Sequence, residues 1–167
     1  MNWGKWICLF SILLATGCTV PHYLWPQRDI GFHETNPQTL KKKILIASRD
    51  SAFKRELVDS ITAEYSSRPI YIRTTGIEAL SKEDANDYSA VVLITTCMGW
   101  TVDVEVERFL NRYGHLPSII VLATSNGGDV LPKMKNRKID AISSASVIDR
   151  IQPLAQEMIA RINRLIE

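Results

Sequence analysis

The chain has 167 residues, of which 46% are hydrophobic and 23% are charged, and its formal net charge is +2. This composition is that of an ordinary globular protein with room for one domain core. The small net charge and the lack of a nucleic-acid-binding motif in the sequence argue against a DNA or RNA partner.

The first seventeen residues have the pattern of a secretory signal. Lys5 lies in a short polar start, and an apolar run follows from Trp6 to Ala15. A run of about ten residues is too short to span a bilayer, which takes roughly twenty. The run ends in the sequence ATGC, in which small residues precede Cys18, and this ending resembles a bacterial lipobox.

The lipobox resemblance implies cleavage after Gly17, transfer of diacylglycerol to the Cys18 thiol and acylation of the new amino terminus. Several acyl chains anchor a protein far more strongly than one chain does. The alternative is an ordinary signal peptide that contains a cysteine. Thr19 follows the cysteine, and the absence of aspartate there favours the outer membrane in a Gram-negative host. We therefore expect a lipid-anchored protein of the bacterial cell envelope, on the periplasmic face of the outer membrane.

Cysteines and histidines point to neither a disulfide nor a metal site. Cys8 leaves with the signal and Cys18 is expected to be lipidated, so the mature domain keeps Cys97 alone. One thiol cannot form an intramolecular disulfide. The three histidines are scattered along the chain, which makes a zinc site improbable.

Residues 18–42 carry three prolines and no sustained apolar period, which predicts a flexible tether. The domain predicted from Lys43 to Glu167 begins with KILIAS, a run typical of a strand buried on both faces. Apolar residues then recur at every fourth position, as in an amphipathic helix, with Asp50 or Ser51 placed to cap it. These apolar residues are Phe53, Leu57, Ile61 and Tyr65.

A second strand, PIYIRT, comes next, and Ser81 three residues before Asp84 predicts a short capped helix. A third strand, AVVLITT, precedes a helix with apolar residues at Val106, Phe109, Leu110 and Tyr113. The runs SIIVLAT and KIDAIS predict a fourth and a fifth strand. The last helix has an apolar face made of Ile148, Ile151, Leu154, Ala155, Met158, Ile159, Ile162 and Leu165.

Alternating strands and helices predict an α/β fold, with a parallel sheet and helices on both faces. Five strands in a chain of this length suit the doubly wound order 2-1-3-4-5. In such a sheet a ligand binds outside the carboxyl ends of the strands, where the strand order reverses. The loops after the first, third and fourth predicted strands are therefore the candidate site.

Three stretches of sequence resemble the flavodoxin family. DYSAVVLITTCMGWTVDVEVERFLNRY is similar to the part of flavodoxins in which the third strand enters a loop with tryptophan and glycine, followed by a helix with a Phe-Leu pair. VLATSNGGD resembles the fourth strand and the glycine-rich loop at the flavin edge, and KIDAISSAS looks like a closing strand. The resemblance implies a flavodoxin-like doubly wound sandwich, with FMN as a possible cofactor.

The resemblance places candidate FMN contacts on three loops. They are Ser48, Arg49 and Ser51 in the phosphate loop, Thr95, Thr96, Gly99 and Trp100 beside the ring, and Ser125, Gly127 and Gly128 at its polar edge. The phosphate loop departs from the family because it lacks the glycine that lets backbone approach an anion. Asp50 adds a negative charge there, and one flexible arginine is not a phosphate nest.

The other features have structural alternatives. Trp100 either stacks on a ring or covers the open end of the sheet, and the Gly127-Gly128 pair either admits a ligand or makes a turn. Cys97 has no basic neighbour in sequence that would activate a thiol, so we expect a packing residue. A solvated helix face is expected from Asp103, Glu105 and Glu107.

Three interpretations of function stay open. The first is a lipid-anchored binding or scaffold module, without flavin, that acts on an unidentified envelope protein. The second is an FMN-dependent oxidoreductase or electron-transfer protein, and the third is a receptor for another small ligand in the same cleft. The altered phosphate loop favours the first, and no catalytic constellation can be assembled from the sequence.

Overall fold

The computed structural model describes residues 27–98, 101–125, 127–128, 131–134 and 141–167. The signal sequence and Cys18 lie outside these residues. Six strands form one sheet in the order β1-β3-β2-β4-β5-β6. Their bounds are β1 His33–Thr35, β2 Lys42–Ser48, β3 Ile70–Gly76, β4 Ala90–Thr96, β5 Ile119–Ser125 and β6 Ala141–Ala145.

The predicted α/β architecture is confirmed, and strands β2 to β6 are all parallel. Taken by themselves, these five strands have the order 2-1-3-4-5. Strand β1 was not predicted, and it pairs antiparallel with β3, so the sheet is mixed and has six strands. A strand of three residues is too short to show an alternating pattern in sequence.

Strand β1 lies within the segment that was predicted to be a flexible tether. Its partner strand supplies Arg73, which binds Glu34 at 2.8 Å and lies over the Phe32 ring at 4.8 Å. Asn36 ends the strand with φ 67°, and its amide Nδ2 donates to Arg68 O at 3.0 Å and Ile70 O at 2.9 Å. Polar contacts, rather than an apolar pattern, thus hold this segment on the sheet.

In the described part of the chain, three α-helices cover the sheet: α1 Ala52–Tyr65, α2 Val104–Tyr113 and α3 Ile151–Ile166. Ser51 caps α1, because its side chain accepts a hydrogen bond from Lys54 N. The capped helix predicted from Ser81 is wrong. Two 3-10 helices, Ile77–Lys82 and Ala85–Asp87, stand there instead, and Asp84 caps the second one. Ser81 therefore lies inside a helical turn rather than before it.

The sheet has an apolar core on each face, and each core is covered by different helices. On one face, α1 and α3 pack on inward residues such as Ile44, Ile46 and Val92. On the other face, α2 and the first 3-10 helix pack on Leu45, Val91 and their neighbours. The predicted apolar faces of the helices are largely confirmed. Ile148 is the exception, because it precedes α3 in a 3-10 turn and is 74% exposed.

Candidate functional site

The carboxyl ends of β2 and β4, which are neighbours, define the candidate site. Strand β2 leads into α1 on one face of the sheet, whereas β4 leads into α2 on the other face. The strand order therefore reverses between them, which is where a doubly wound sheet opens a crevice for a ligand.

A buried ion-pair cluster around Arg49 fills the space directly beyond β2. Its Nε and Nη2 donate to Asp103 Oδ2 at 2.9 and 2.7 Å, and its Nη1 donates to Asp29 Oδ1 at 2.8 Å. The same Nη1 also donates to Glu78 Oε1 at 3.2 Å. Burial by itself lowers the pKa of Arg49, but the hydrogen bonds and charges of Asp103, Asp29 and Glu78 outweigh it and raise the pKa. The guanidinium is thus bound by carboxylates of its own chain.

Asp103 was expected on a solvated helix face, and that expectation is wrong because the residue is 3% exposed. It is the N-cap of α2 rather than a residue within it, and its Oδ1 accepts a hydrogen bond from Glu105 N at 3.0 Å. Its other oxygen faces Arg49. Glu105 and Glu107, in the first turn of α2, are partly exposed.

A short segment before β1, residues 27–30, lies over the Arg49 cluster, and we call it the cover segment. Its backbone pairs with the loop after β2, because Asp50 N donates to Arg28 O at 2.7 Å and Ile30 N donates to Ser48 O at 3.2 Å. Arg49 also reaches Gln27 O at 3.3 Å. Asp29 sits against Gly76, where an added Cβ would lie 2.3 Å from Asp29 Oδ2. The missing side chain of Gly76 therefore makes room for the cover segment.

The two serines of the predicted phosphate loop serve local structure. The Ser48 hydroxyl is fully buried and donates to Arg49 O at 2.8 Å. Ser51 accepts from Lys54 N at 3.2 Å as the cap of α1. Asp50 pairs with Arg55 at 2.5 Å. The loop is thus held by its own hydrogen bonds and charges.

In the loop after β4, Thr95 is fully buried, and its hydroxyl accepts from Asp103 N at 3.4 Å. Met98 and Thr101 are joined by two backbone hydrogen bonds of 3.3 and 3.1 Å. Cys97 is buried, as expected of a packing residue. Gly99 and Trp100, the candidate ring contacts, lie outside the described residues.

The loop after β5 contains a tight turn. Gly128 has φ 77° and its N donates to Ser125 Oγ at 2.9 Å, while an added Cβ would lie 2.4 Å from Ala145 N. Gly127 is exposed. The glycine at 128 is therefore required by positive φ and by the close approach of the end of β6.

An open cleft of about 380 Å³ lies beside the cluster, on the α1 side. It is lined by Gln27, Arg28, Asp50, Ser51, Lys54, Thr96, Thr124 and Ser146. Lys54 is 3% exposed, and its Nζ donates to Thr96 Oγ1 at 2.5 Å. Thr96 Oγ1 in turn donates to Gln27 Oε1 at 2.9 Å. Burial, followed by repulsion from Arg49, lowers the pKa of Lys54 to about 8.

Lys54 was not predicted as a site residue, although the sequence contains a signal for it. Position 54 shares one helical face with Val58, Ile61 and Tyr65, at spacings of four, seven and eleven. A lysine in line with three core positions predicts a buried ammonium, or at least a buried stem. Of the ten candidate contacts, Ser51 and Thr96 line the cleft, whereas Arg49 belongs to the ion-pair cluster.

The chain matches no protein-family model, and a search of curated proteins finds no match to it. Within the described residues, no helix is long and apolar enough to cross a membrane. The same part of the chain holds no group of three or more histidine, cysteine, aspartate or glutamate residues suited to a metal ion.

Proposed function

We propose that this chain is a lipid-anchored binding module of the bacterial cell envelope, whose flavodoxin-like domain works without a flavin. The Arg49 cluster carries this proposal. A phosphate placed beyond β2, as the family resemblance implies for FMN, would meet Asp29, Glu78 and Asp103. Displacing Arg49 to receive it would leave Asp103 buried without its counter-charge, which typically costs about 3–5 kcal/mol.

The cover segment supports the same conclusion. Residues 27–30 are hydrogen-bonded to the loop after β2 by the backbone of Arg28 and Ile30 and by the side chain of Asp29. A phosphate at the crevice would need those groups to leave. The protein's own chain thus covers the place that a flavin phosphate would take.

Exposed apolar side chains support a role in binding a protein partner. Four of the large hydrophobic residues that are exposed in the described chain stand in segments leaving the carboxyl edge of the sheet: Val104, Leu131, Val147 and Ile148. Single exposed apolar residues are ordinary, but these four follow the carboxyl ends of three adjacent strands, β4, β5 and β6, which favours an interaction surface at that end of the sheet. We infer that an envelope protein docks at this edge.

The anchor itself is proposed from sequence. The apolar run before ATGC and the cysteine at position 18 favour lipidation, which would hold the domain at the membrane through several acyl chains. In a Gram-negative host, Thr19 favours the outer membrane. The tether then runs from Cys18 to the cover segment, so the carboxyl edge of the sheet lies close to the end of the tether.

The proposal is tested by adding FMN to the full-length protein purified in detergent. We expect no flavin band in the visible spectrum of the protein as purified, none after incubation with FMN and removal of unbound FMN by gel filtration, and no saturable quenching of flavin fluorescence during the titration. A known flavodoxin, stripped of its flavin, serves as the positive control for the assay. Quenching that saturates at micromolar FMN overturns the proposal in favour of an oxidoreductase or electron-transfer protein.

A second candidate function, reception of a small solute, is favoured by the cleft at Lys54. This cleft lies beside the Arg49 cluster rather than in its place, so it does not depend on displacing Asp103 or the cover segment. Its chemistry is developed below.

A further inference from the structure

The cleft beside α1 contains a buried ammonium group with few hydrogen-bond partners. Lys54 has three N–H donors, and in the described chain Thr96 Oγ1 is the acceptor it reaches. Its side chain forms no ion pair with any described carboxylate, although Asp103 and Asp50 attract it at longer range. Within the described residues, two donors of Lys54 thus stay available for a ligand.

The groups around Lys54 are also donors. Ser51 Oγ uses its lone pair to accept from Lys54 N, which leaves its hydroxyl proton to donate outward. Ser146 and Arg28 also line the cleft and are exposed there. Asp50 supplies a carboxylate to the lining, but its charge is paired with Arg55 at 2.5 Å. The cleft therefore offers two cationic groups and two hydroxyls to whatever enters it.

A purely structural role explains Lys54 poorly. A buried ammonium whose described hydrogen-bond acceptor is one neutral hydroxyl loses its hydration without gaining a carboxylate in contact. Methionine at this helix position would fill the same volume without that cost. A ligand with negatively charged oxygen atoms would supply both the missing acceptors and the counter-charge.

We propose that the cleft binds a small solute through an anionic oxygen group, a carboxylate or a phosphate, held by Lys54 at the base and by Ser51, Ser146 and Arg28 at the rim. The volume of about 380 Å³ is at the small end of ligand pockets, so the solute is larger than an inorganic ion and smaller than a dinucleotide. The cleft opens to solvent, which allows exchange without unfolding.

This inference deepens the proposed binding module, because it gives the module a solute as well as a protein partner. The solute site rests on that proposed function, but different experiments test the solute site and the flavin-free module. Binding of FMN would overturn the flavin-free module. The anion site is judged with acetate and inorganic phosphate, neither of which carries a flavin ring.

The test is a titration of the full-length, ¹⁵N-labelled protein in detergent at pH 7 and constant ionic strength. Sodium acetate and sodium phosphate are added separately, and the backbone amides of Ser51, Thr96 and Ser146 are followed by NMR. We expect saturable shifts of these amides with at least one of the two anions. Acetate alone indicates a carboxylate ligand, and phosphate alone indicates a phosphorylated one.

Three lysine variants make the result specific. In Lys54→Met the dissociation constant should rise at least tenfold, whereas in Lys41→Met, at the opposite edge of the sheet, it should stay unchanged. Circular dichroism of both variants checks that they fold. Lys54→Arg keeps the charge and should retain part of the affinity. The proposal is overturned if neither anion gives saturable shifts, or if Lys54→Met binds as tightly as the unmodified protein.

Discussion

Arg49, directly after β2, is joined to Asp103, the N-cap of α2, through one carboxylate oxygen. Arg49 Nε and Nη2 both donate to Asp103 Oδ2, at 2.9 and 2.7 Å, while Oδ1 of the same carboxylate caps α2. The two side chains are 9% and 4% exposed. A pair this buried stabilises the fold mainly because breaking it leaves a charge without a partner.

We expect Arg49→Met to lower the free energy of unfolding by about 3–5 kcal/mol, because Asp103 would stay buried without the guanidinium that binds it at 2.7 Å. Asp103→Asn keeps an N-cap acceptor but loses the charge, and Arg49 still reaches Asp29 and Glu78. The free energy of unfolding should therefore fall less in Asp103→Asn than in Arg49→Met. Urea unfolding of both single variants and the double variant measures the coupling between them. Strictly additive losses in this cycle would show that the pair does not act as a unit.

Gly76 is predicted to control the position of the cover segment. In Gly76→Ala the added Cβ would lie 2.5 Å from Asp29 Cβ. Because Cβ is bonded directly to the backbone, a rotation of the Asp29 side chain cannot relieve this clash, and the cover segment itself has to shift. We expect a loss of about 1–3 kcal/mol in the free energy of unfolding. Proteolysis within residues 27–30 should also become faster.

Gly31→Ala is the matched control for this variant, because an added Cβ at Gly31 meets nothing within 4 Å. It should unfold and digest as the unmodified protein does. Equal effects of the two substitutions would contradict the packing role of Gly76.

Lys54 is predicted to make stability depend on pH. Burial lowers its pKa from 10.5 to about 8, so between these values the unfolded chain binds more protons than the folded protein. The free energy of unfolding contributed by Lys54 therefore rises with pH in this window, by about 3 kcal/mol in total. Below pH 8 the charged Lys54 destabilises the folded protein by this full amount, and Lys54→Met should be the more stable protein.

The measurement is urea unfolding of both proteins from pH 7 to pH 10, with the difference between them plotted against pH. Arg49, Asp50 and Asp103, which act on Lys54, are present in both proteins. The difference also cancels the tyrosines, among them Tyr65, whose pKa burial raises to about 12. A difference in the free energy of unfolding that does not change with pH would contradict a lowered pKa of Lys54.

Asn36 is predicted to fasten β1 to the sheet. Its φ of 67° suits few residues besides asparagine and glycine, and its amide donates to Arg68 O and Ile70 O. Asn36→Gly keeps the backbone freedom and loses the hydrogen bonds, whereas Asn36→Ala loses both. We expect alanine to lower the free energy of unfolding more than glycine does, with losses of about 1–3 kcal/mol in thermal unfolding. Equal losses would assign the whole effect to the hydrogen bonds.

Cys18 is predicted to carry the membrane anchor. In cells, Cys18→Ser should move the protein from the membrane fraction to the soluble fraction, because the acyl chains would be missing. Cys8→Ser, which changes a cysteine within the apolar run, should leave the protein in the membrane fraction. Mass spectrometry of the amino terminus shows directly whether acyl chains are attached. A Cys18→Ser protein that stays at the membrane would overturn the lipoprotein proposal.

The regular apolar patterns in the sequence predicted the long strands and the α-helices. Buried parallel strands read as β-branched apolar runs, and KILIAS and AVVLITT became β2 and β4. The helix faces followed from spacings of three and four, as for Val106, Phe109 and Leu110. These signals are local, because each residue's burial is set by its neighbours in the same element.

Short or irregular elements could not be predicted in this way. Strand β1 has three residues and depends on contacts to Arg73 and to carbonyls more than thirty positions away. The 3-10 helices at 77–87 replaced a predicted capped helix, since Asp84 rather than Ser81 became the cap. Such elements depend on tertiary contacts that no window of sequence contains.

The sequence by itself determined the α/β alternation, the order of the parallel strands and the loops that meet at the carboxyl edge of the sheet. Tertiary structure alone decided what those loops contain. Asp103 and Arg49 are 54 positions apart and looked like a solvated acid and a flexible base. Folding buries both at one point, where the loss of water makes their charges a structural pair. The same burial leaves Lys54 beside an open cleft, with the neutral Thr96 hydroxyl as its hydrogen-bond acceptor among the described residues.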